Sequence, residues 1–131
     1  MPAQSHGALH LTSEWFIQPG RETDVARVLP KLVADVLATE PDTLMYLVHK
    51  PRPPGVLQSL PPPDPGSLLF FEVYRDADAF QRHVNGPVFS AFVRQHGALF
   101  ISANGKPFTF VEFLTLEHGL MRADAGTVLP V

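Results

Sequence analysis

The chain has 131 residues, of which 45% are hydrophobic and 18% charged, with a formal net charge of −3 at pH 7. This length and composition predict one domain, residues 1–131, with a hydrophobic core. The slightly acidic balance and the lack of a basic stripe argue against a nucleic-acid partner, and no apolar run of about eighteen residues could span a membrane. The sequence shows no secretory leader and contains no cysteine, which excludes disulfide chemistry and is consistent with a cytoplasmic protein.

The first third of the chain has the pattern of a strand, a helix and a second strand. Residues 8–17 alternate in polarity, and one face carries Leu9, Leu11, Ser13, Trp15 and Ile17. From residue 21 to residue 39 the apolar residues recur at spacings of three and four, which predicts an amphipathic helix. Residues 43–49 are apolar on both faces, which is typical of an interior strand.

A proline-rich segment follows the second strand. Residues 50–66 contain half of the 14 prolines in the chain. Proline cannot donate a backbone hydrogen bond, so this segment cannot form a regular helix or a central strand. We therefore predict an exposed, extended insertion at 50–66.

The second half begins with an aromatic strand that runs directly into a helix. Residues 67–74 predict the strand, and residues 76–84 and 87–96 predict two short helices, the first capped by Asp76. After a turn at 104–105, residues 107–116 predict a fourth strand. The core thus spans about 8–116, and the tail 117–131 has no clear period.

The order of these elements predicts an α+β fold of the ferredoxin-like, split β-α-β type. Its four-stranded antiparallel sheet would carry the helices on one face. The other face is also rich in apolar residues, and a single layer of helices cannot cover both. A second copy of the chain could cover that face, which predicts a homodimer.

His83 is the first candidate for chemistry. It shares one helical face with Phe80 and Val84, and that face points toward the sheet. A neutral imidazole in such a position could take a proton from a phenol near pH 7. The alternative is a structural histidine that braces the two short helices through a backbone carbonyl.

The remaining candidates have structural alternatives too. Tyr74 and Tyr46 could orient a substrate oxygen, or they could be buried tyrosines with satisfied hydroxyls. Trp15 could line an apolar pocket or belong to the core. Two carboxyls, Glu72 and Glu112, interrupt apolar strands, and a buried one would need a partner or a raised pKa, with Arg75 as a nearby partner. Both could instead occupy edge or dimer-contact positions.

Several segments also carry a family resemblance. Residues 70–84, F-F-E-V-Y-R-D-A-D-A-F-Q-R-H-V, and the F-S-A-F at 89–92 contain an E-x-Y segment, an A-F-x-x-H helix and an F-x-x-F helix. Together with 14–20 and 40–44, they resemble the antibiotic biosynthesis monooxygenase family, a branch of the dimeric α+β barrel superfamily. The resemblance covers roughly residues 8–116.

The resemblance implies a cofactor-independent monooxygenase, with no flavin and no metal, whose substrates are a small aromatic molecule of the quinol type and dioxygen. For this function we predict His83, which matches the histidine of the family's A-F-x-x-H helix, as a catalytic residue, together with Tyr74 and Tyr46. The aromatic side chains predicted to wall the substrate pocket are Trp15, Phe71, Phe80, Phe89 and Phe92. It also implies a two-fold dimer whose two sheets pack into a barrel.

Two other functions stay open at this point. The chain could be an isomerase or lyase of the same superfamily that uses His83 as an acid–base group without oxygen. It could also be a non-catalytic ligand-binding or stress-response dimer, since a fold alone does not decide the reaction.

Overall fold

The computed structural model describes residues 7–53 and 64–128. The central part of the predicted insertion, residues 54–63, therefore lies outside the described residues, as do 1–6 and 129–131. The elements in chain order are β1 (Leu9–Phe16), α1 (Glu22–Thr39), β2 (Thr43–His49), β3 (Ser67–Tyr74), α2 (Ala77–Val84), α3 (Pro87–His96), β4 (Ser102–Ala103), β5 (Lys106–Pro107), β6 (Thr109–Leu114) and α4 (Ala125–Val128).

Four of the strands form one antiparallel sheet in the order β2-β3-β1-β6. The first and third long strands are neighbours, with α1 and β2 between them in sequence, which is the split β-α-β arrangement. The ferredoxin-like α+β fold is thus confirmed.

The alternation of β1 sets which side chains face the helices. Leu11, Ser13 and Trp15 are buried, while the residues between them are only half-buried. Residues directly opposite in an antiparallel pair share a face, so Phe70, opposite Ser13, and Glu72, opposite Leu11, also face the helices. This face is called the inner face of the sheet below, and the other is the outer face.

The core lies between the inner face and the helices, and Trp15 is at its centre. The indole ring contacts four phenylalanine rings at centroid distances of 4.9 Å (Phe100), 5.8 Å (Phe70), 6.0 Å (Phe89) and 6.2 Å (Phe92). The contacts with Phe100, Phe89 and Phe92 are edge-to-face, the arrangement that aromatic quadrupoles favour. This cluster holds α3 against the sheet and fixes one end of the cavity described below.

The last part of the chain differs in detail from the prediction. The fourth long strand covers 109–114, and a short β4–β5 hairpin precedes it. The hairpin turns at Asn104 (φ 54°) and Gly105 (φ 79°), as the Asn-Gly dipeptide predicts. The tail, which shows no period in the sequence, contains the short exposed helix α4.

Asp76 caps α2, and the Asp76→Ala variant is expected to lose about 1 kcal/mol of unfolding free energy. Its side chain accepts a hydrogen bond from the backbone N–H of Ala79 at 2.8 Å, and alanine would leave this donor without a partner. Urea unfolding measures the change. Asp76→Asn is the control, because asparagine caps equally well; equal losses in both variants would contradict the capping role.

Within the described residues, no helix is both long enough and apolar enough to cross a membrane.

Candidate active site

A cavity of about 240 Å³ lies between α2, the start of α3 and the inner face of the sheet. Its walls are mostly apolar, with a few polar side chains that converge on it. The lining residues are Leu11, Ser13, Trp15, Tyr46, Phe70, Glu72, Phe80, His83, Val84, Phe89, Thr109 and Val111. A small apolar cavity with a few placed polar groups is the usual form of a ligand site.

His83 enters the cavity wall from α2 and is held by a carboxylate. Its Nδ1 lies 2.7 Å from Oε1 of Glu40, the residue that ends α1, and the His83 side chain is only 2% exposed. The same Glu40 oxygen accepts a hydrogen bond from the hydroxyl of Thr43 at 3.0 Å. Because an ionised carboxylate only accepts hydrogen bonds, Nδ1 must carry the hydrogen. In a neutral ring the lone pair is then on Nε2.

Glu72 enters the same cavity from the sheet. It is buried, and its Oε1 accepts a hydrogen bond from the hydroxyl of Tyr74 at 2.6 Å. Burial raises the pKa of Glu72 from its ordinary 4.5 to about 7; the Tyr74 hydrogen bond opposes this rise, and the charge of Glu40 adds to it. The site therefore holds a carboxyl group that can change protonation near neutral pH.

The raised pKa of Glu72 predicts a pH-dependent stability. A folded-state pKa above the unfolded value means that the stabilisation is complete below pH 4.5 and is lost as the pH rises through about 7. The loss of unfolding free energy is about 3.5 kcal/mol, since the pKa differs between 4.5 and about 7 and one unit corresponds to about 1.4 kcal/mol. Urea unfolding across this range measures it. Glu72→Gln should flatten the profile, whereas Glu117→Gln, at an exposed position after β6, should not. A wild-type profile that rises over this range would contradict the expectation.

Two further polar groups line the cavity near these residues. The Tyr46 ring lies 5.3 Å from the His83 ring, and burial, followed by the charges of Glu72 and Glu40, raises the pKa of the Tyr46 hydroxyl well above its usual range. Ser13 accepts a hydrogen bond from Nε1 of Trp15 at 2.9 Å. Tyr46 thus stays protonated at neutral pH and can donate a hydrogen bond to a ligand oxygen.

The structure brings five of the eight sequence-predicted site residues to the cavity. These are His83, Tyr46, Trp15, Phe80 and Phe89. Tyr74 is fully buried behind Glu72, and burial, together with the Glu72 charge and hydrogen bond, raises the pKa of Tyr74 far above its usual range. Phe92 packs in the core against Trp15 and Phe100.

Phe71 requires a correction. It was predicted to wall the pocket, but it lies on the outer face of the sheet, opposite Thr12 and near His10. The reason is the strand alternation, which sends neighbouring residues to opposite faces, so that only Phe70 of the pair can point toward the helices.

Arg75 requires a second correction. The Arg75 Nε–H donates a hydrogen bond to Oδ1 of Asp42 at 2.7 Å, and Arg75 does not pair with the buried Glu72. Residues three apart in a strand point to opposite faces, whereas Tyr74, two residues from Glu72, shares its face. Glu112, the other candidate carboxyl, lies exposed on β6.

Two residues of the site, Glu40 and Ser13, are not among those predicted from the sequence. Glu40 and His83 are 43 positions apart, so no spacing rule connects them. A glutamate at the end of a helix is visible in the sequence, however, and could have marked Glu40 as a candidate. Ser13 was placed correctly on the inner face, where a hydroxyl among apolar neighbours indicates a hydrogen-bond partner or a ligand.

A larger and more open groove of about 850 Å³ runs along α1 beside the ends of β2 and β3. Its described walls are mainly apolar, with Glu22, His49 and Lys50 among them. The smaller cavity is the better candidate, because it gathers a paired histidine and a buried carboxyl. Across 7–53 and 64–128, no three His, Cys, Asp or Glu side chains lie close enough together to hold a metal ion.

The sheet order and the single layer of helices define a ferredoxin-like α+β protein. Within this class the chain belongs to the antibiotic biosynthesis monooxygenase family, whose model matches residues 9–95. Comparison with curated proteins finds no match.

Solved structures with the same fold come from several bacteria. A candidate antibiotic biosynthesis monooxygenase from Caulobacter crescentus is 22% identical, with a TM-score of 0.68 over 86% of this chain and 92% of the other. PA3566 from Pseudomonas aeruginosa is 24% identical, with a TM-score of 0.67 over 88% and 100%. Rv0793 from Mycobacterium tuberculosis is 18% identical, with a TM-score of 0.61 over 88% and 98%. At these identities, the likeness concerns the fold alone.

Proposed function

We propose that the protein is a cofactor-independent monooxygenase that oxidises a small phenol or quinol with dioxygen. The observation that carries the proposal is the Glu40–His83 pair in the wall of a mostly apolar cavity. The carboxylate holds the hydrogen on Nδ1 and leaves Nε2 as the proton acceptor. Trp15, Phe80 and Phe89 provide apolar walls against which an aromatic ring can pack.

The chemistry needs a base and a site with little water. His83 takes the proton of the substrate hydroxyl, and Tyr46 donates a hydrogen bond to the oxyanion that forms. The electron-rich ring then reduces dioxygen, and a bond forms between a ring carbon and oxygen. His83 returns its proton to the outer oxygen, which gives a substrate hydroperoxide. Loss of the ring hydrogen as a proton, with cleavage of the O–O bond, yields the quinone and one water.

Oxygen uptake with a panel of naphthols and quinols tests this function. Catalase is added to separate monooxygenation from autoxidation. Autoxidation releases hydrogen peroxide, which catalase converts partly back to dioxygen, so catalase lowers the measured uptake. Monooxygenation consumes one dioxygen per product and releases water, so catalase does not change its uptake. Enzyme-dependent uptake that catalase does not reduce is the expected result. Turnover of an isomerase or lyase substrate without oxygen would favour the acid–base alternative, and tight binding of an aromatic ligand without turnover would favour a binding protein.

The cytoplasmic location inferred from the cysteine-free sequence stays a prediction.

We expect the protein to be a homodimer in which the outer face of the sheet is covered by a second copy. This face carries exposed apolar side chains on two strands, with Leu69 40% and Phe110 62% exposed. An exposed apolar face of this kind is typical of an interface. Light scattering should give twice the chain mass of 14.4 kDa, and a monomer mass at micromolar concentration would contradict it.

A matched pair of variants sharpens that experiment. Phe110→Asp places a charge on the outer face and should shift the protein toward the monomer. Leu37→Asp changes an equally apolar residue that is 83% exposed on α1, on the opposite side of the sheet, and should leave the mass unchanged.

A further inference from the structure

Glu72 is a buried carboxyl that the deprotonation step above does not use. It is 6% exposed, in the middle of β3, between Leu11 on β1 and Tyr46 on β2. None of the ion pairs among the described residues includes it, and Arg75, the nearest candidate in sequence, is bonded to Asp42. A carboxyl kept in an apolar wall without a counter-charge lowers stability, so it is a candidate for function.

The geometry leaves one Glu72 oxygen available to a ligand. Oε1 accepts the Tyr74 hydroxyl, and Oε2 has no hydrogen-bond partner among the described residues. In the same part of the chain, no polar side-chain atom is both sealed from open space and without a partner. Oε2 must therefore keep some contact with open space, and Glu72 lines the cavity.

Glu72 and His83 approach this cavity from two different layers. Glu72 comes from the sheet and His83 from α2, and the Tyr46 ring lies beside both. The titratable groups near Glu72 are Tyr74 on its own strand, Tyr46 on β2 and Glu40 at the end of α1, and His83 on α2 lines the same cavity. A flat ring between the layers would meet a different proton-transferring group on each side.

We propose that Glu72 is a second catalytic residue, which removes the ring hydrogen in the step that follows oxygen addition. This inference rests on the function proposed above. The Glu72 carboxylate takes the hydrogen of the oxygenated carbon as a proton, and the electron pair of the C–H bond becomes the second C–O bond. The O–O bond breaks, hydroxide leaves, and the proton on Glu72 converts it to water. The net reaction converts one ring C–H and one phenolic O–H, with dioxygen, into two C=O groups and one water, with both residues restored.

A carboxyl with a pKa of about 7 suits this role, because it is basic enough to take a proton and acidic enough to return it. The same residue near its ordinary value of 4.5 would be a weaker base. Tyr74 holds the carboxyl in place from behind, which makes Tyr74 a positioning residue here and not a catalytic one.

The first test needs no turnover. The carboxyl carbon of Glu72 is titrated by ¹³C NMR under argon, with and without 1-naphthol. A bound ring displaces water, so the titration midpoint should rise from about 7 by roughly one unit. Glu117, an exposed residue after β6 that does not line the cavity, is the internal control and should not shift. A Glu72 titration that is the same with and without 1-naphthol would overturn the proposal.

The second test is kinetic and uses Glu72→Gln, which keeps the size and the hydrogen bond of the side chain but cannot take a proton. We expect kcat to fall about 10²-fold with little change in KM, and Glu72→Asp to recover part of the loss. A deuterated ring carbon should give a larger isotope effect in Glu72→Gln than in the wild type. Glu117→Gln should behave as the wild type. Unchanged kcat in folded Glu72→Gln would refute the role while leaving the oxygenase function in place. A ligand-dependent titration without any oxygen uptake would refute the oxygenase function, and with it the step assigned to Glu72.

Discussion

The His83→Ala variant is expected to turn over a true substrate at least about 10²-fold more slowly than the wild type. The reason is that it removes Nε2, the acceptor that the Glu40 hydrogen bond leaves free. The measurement is kcat from oxygen uptake on the best compound of the naphthol and quinol panel. His83→Gln should show the same loss, because its amide can still donate to Glu40 but cannot accept a proton.

His96→Ala is the matched control for this experiment. His96 ends α3, packs against Phe92 at 5.4 Å and does not line the cavity, so its removal should leave turnover close to the wild-type value. Circular dichroism confirms that each variant is folded. An unchanged rate in folded His83→Ala would return His83 to a structural role, in which its bond to Glu40 ties α2 to the end of α1.

The Leu32→Ala variant is expected to lose about 2–5 kcal/mol of unfolding free energy. Leu32 is 3% exposed and belongs to the core cluster around Trp15 and Phe92, so its removal leaves a cavity that the packed layers can only partly fill. Small domains are stable by about 5–15 kcal/mol, so this is a large share of the total. Urea unfolding at fixed protomer concentration measures it, because the proposed dimerisation would make stability concentration-dependent.

Leu37→Ala provides the control on the same helix. The substitution is identical, the gain in helix propensity is the same, and Leu37 is 83% exposed. The change should be within about 0.5 kcal/mol. Equal losses for Leu32→Ala and Leu37→Ala would contradict the core that the structure assigns to this face of α1.

The fold could be predicted because the elements depend on local patterns. The alternation from Leu11 to Trp15 and the three–four spacing of α1 are visible in the sequence, and β2 and β3 have the predicted bounds. It is harder to predict which of two neighbouring aromatic residues in a strand points to the inner face. Phe70 and Phe71 are both aromatic, so composition does not decide which one points inward, and only the register with β1 settles it.

The site was less predictable because its main contacts are long-range. Glu40 and His83 meet only after α1, β2 and β3 have folded, so their spacing in the sequence does not predict the hydrogen bond between them. The partner of Glu72 is a different case. Strand parity alone excludes Arg75 and favours Tyr74, and this signal was present in the sequence.

The position of Glu40 at the end of α1 has a consequence for how this chain can change in length. Each residue turns an α-helix by about 100° and lengthens it by about 1.5 Å. One residue inserted between Pro30 and Thr39 would swing the Glu40 carboxylate away from His83, and a whole extra turn would restore its direction but carry it about 5 Å too far. Much of α1 is exposed and should accept substitutions freely, yet it should reject insertions and deletions. The length of α1 therefore determines whether the Glu40–His83 hydrogen bond can form.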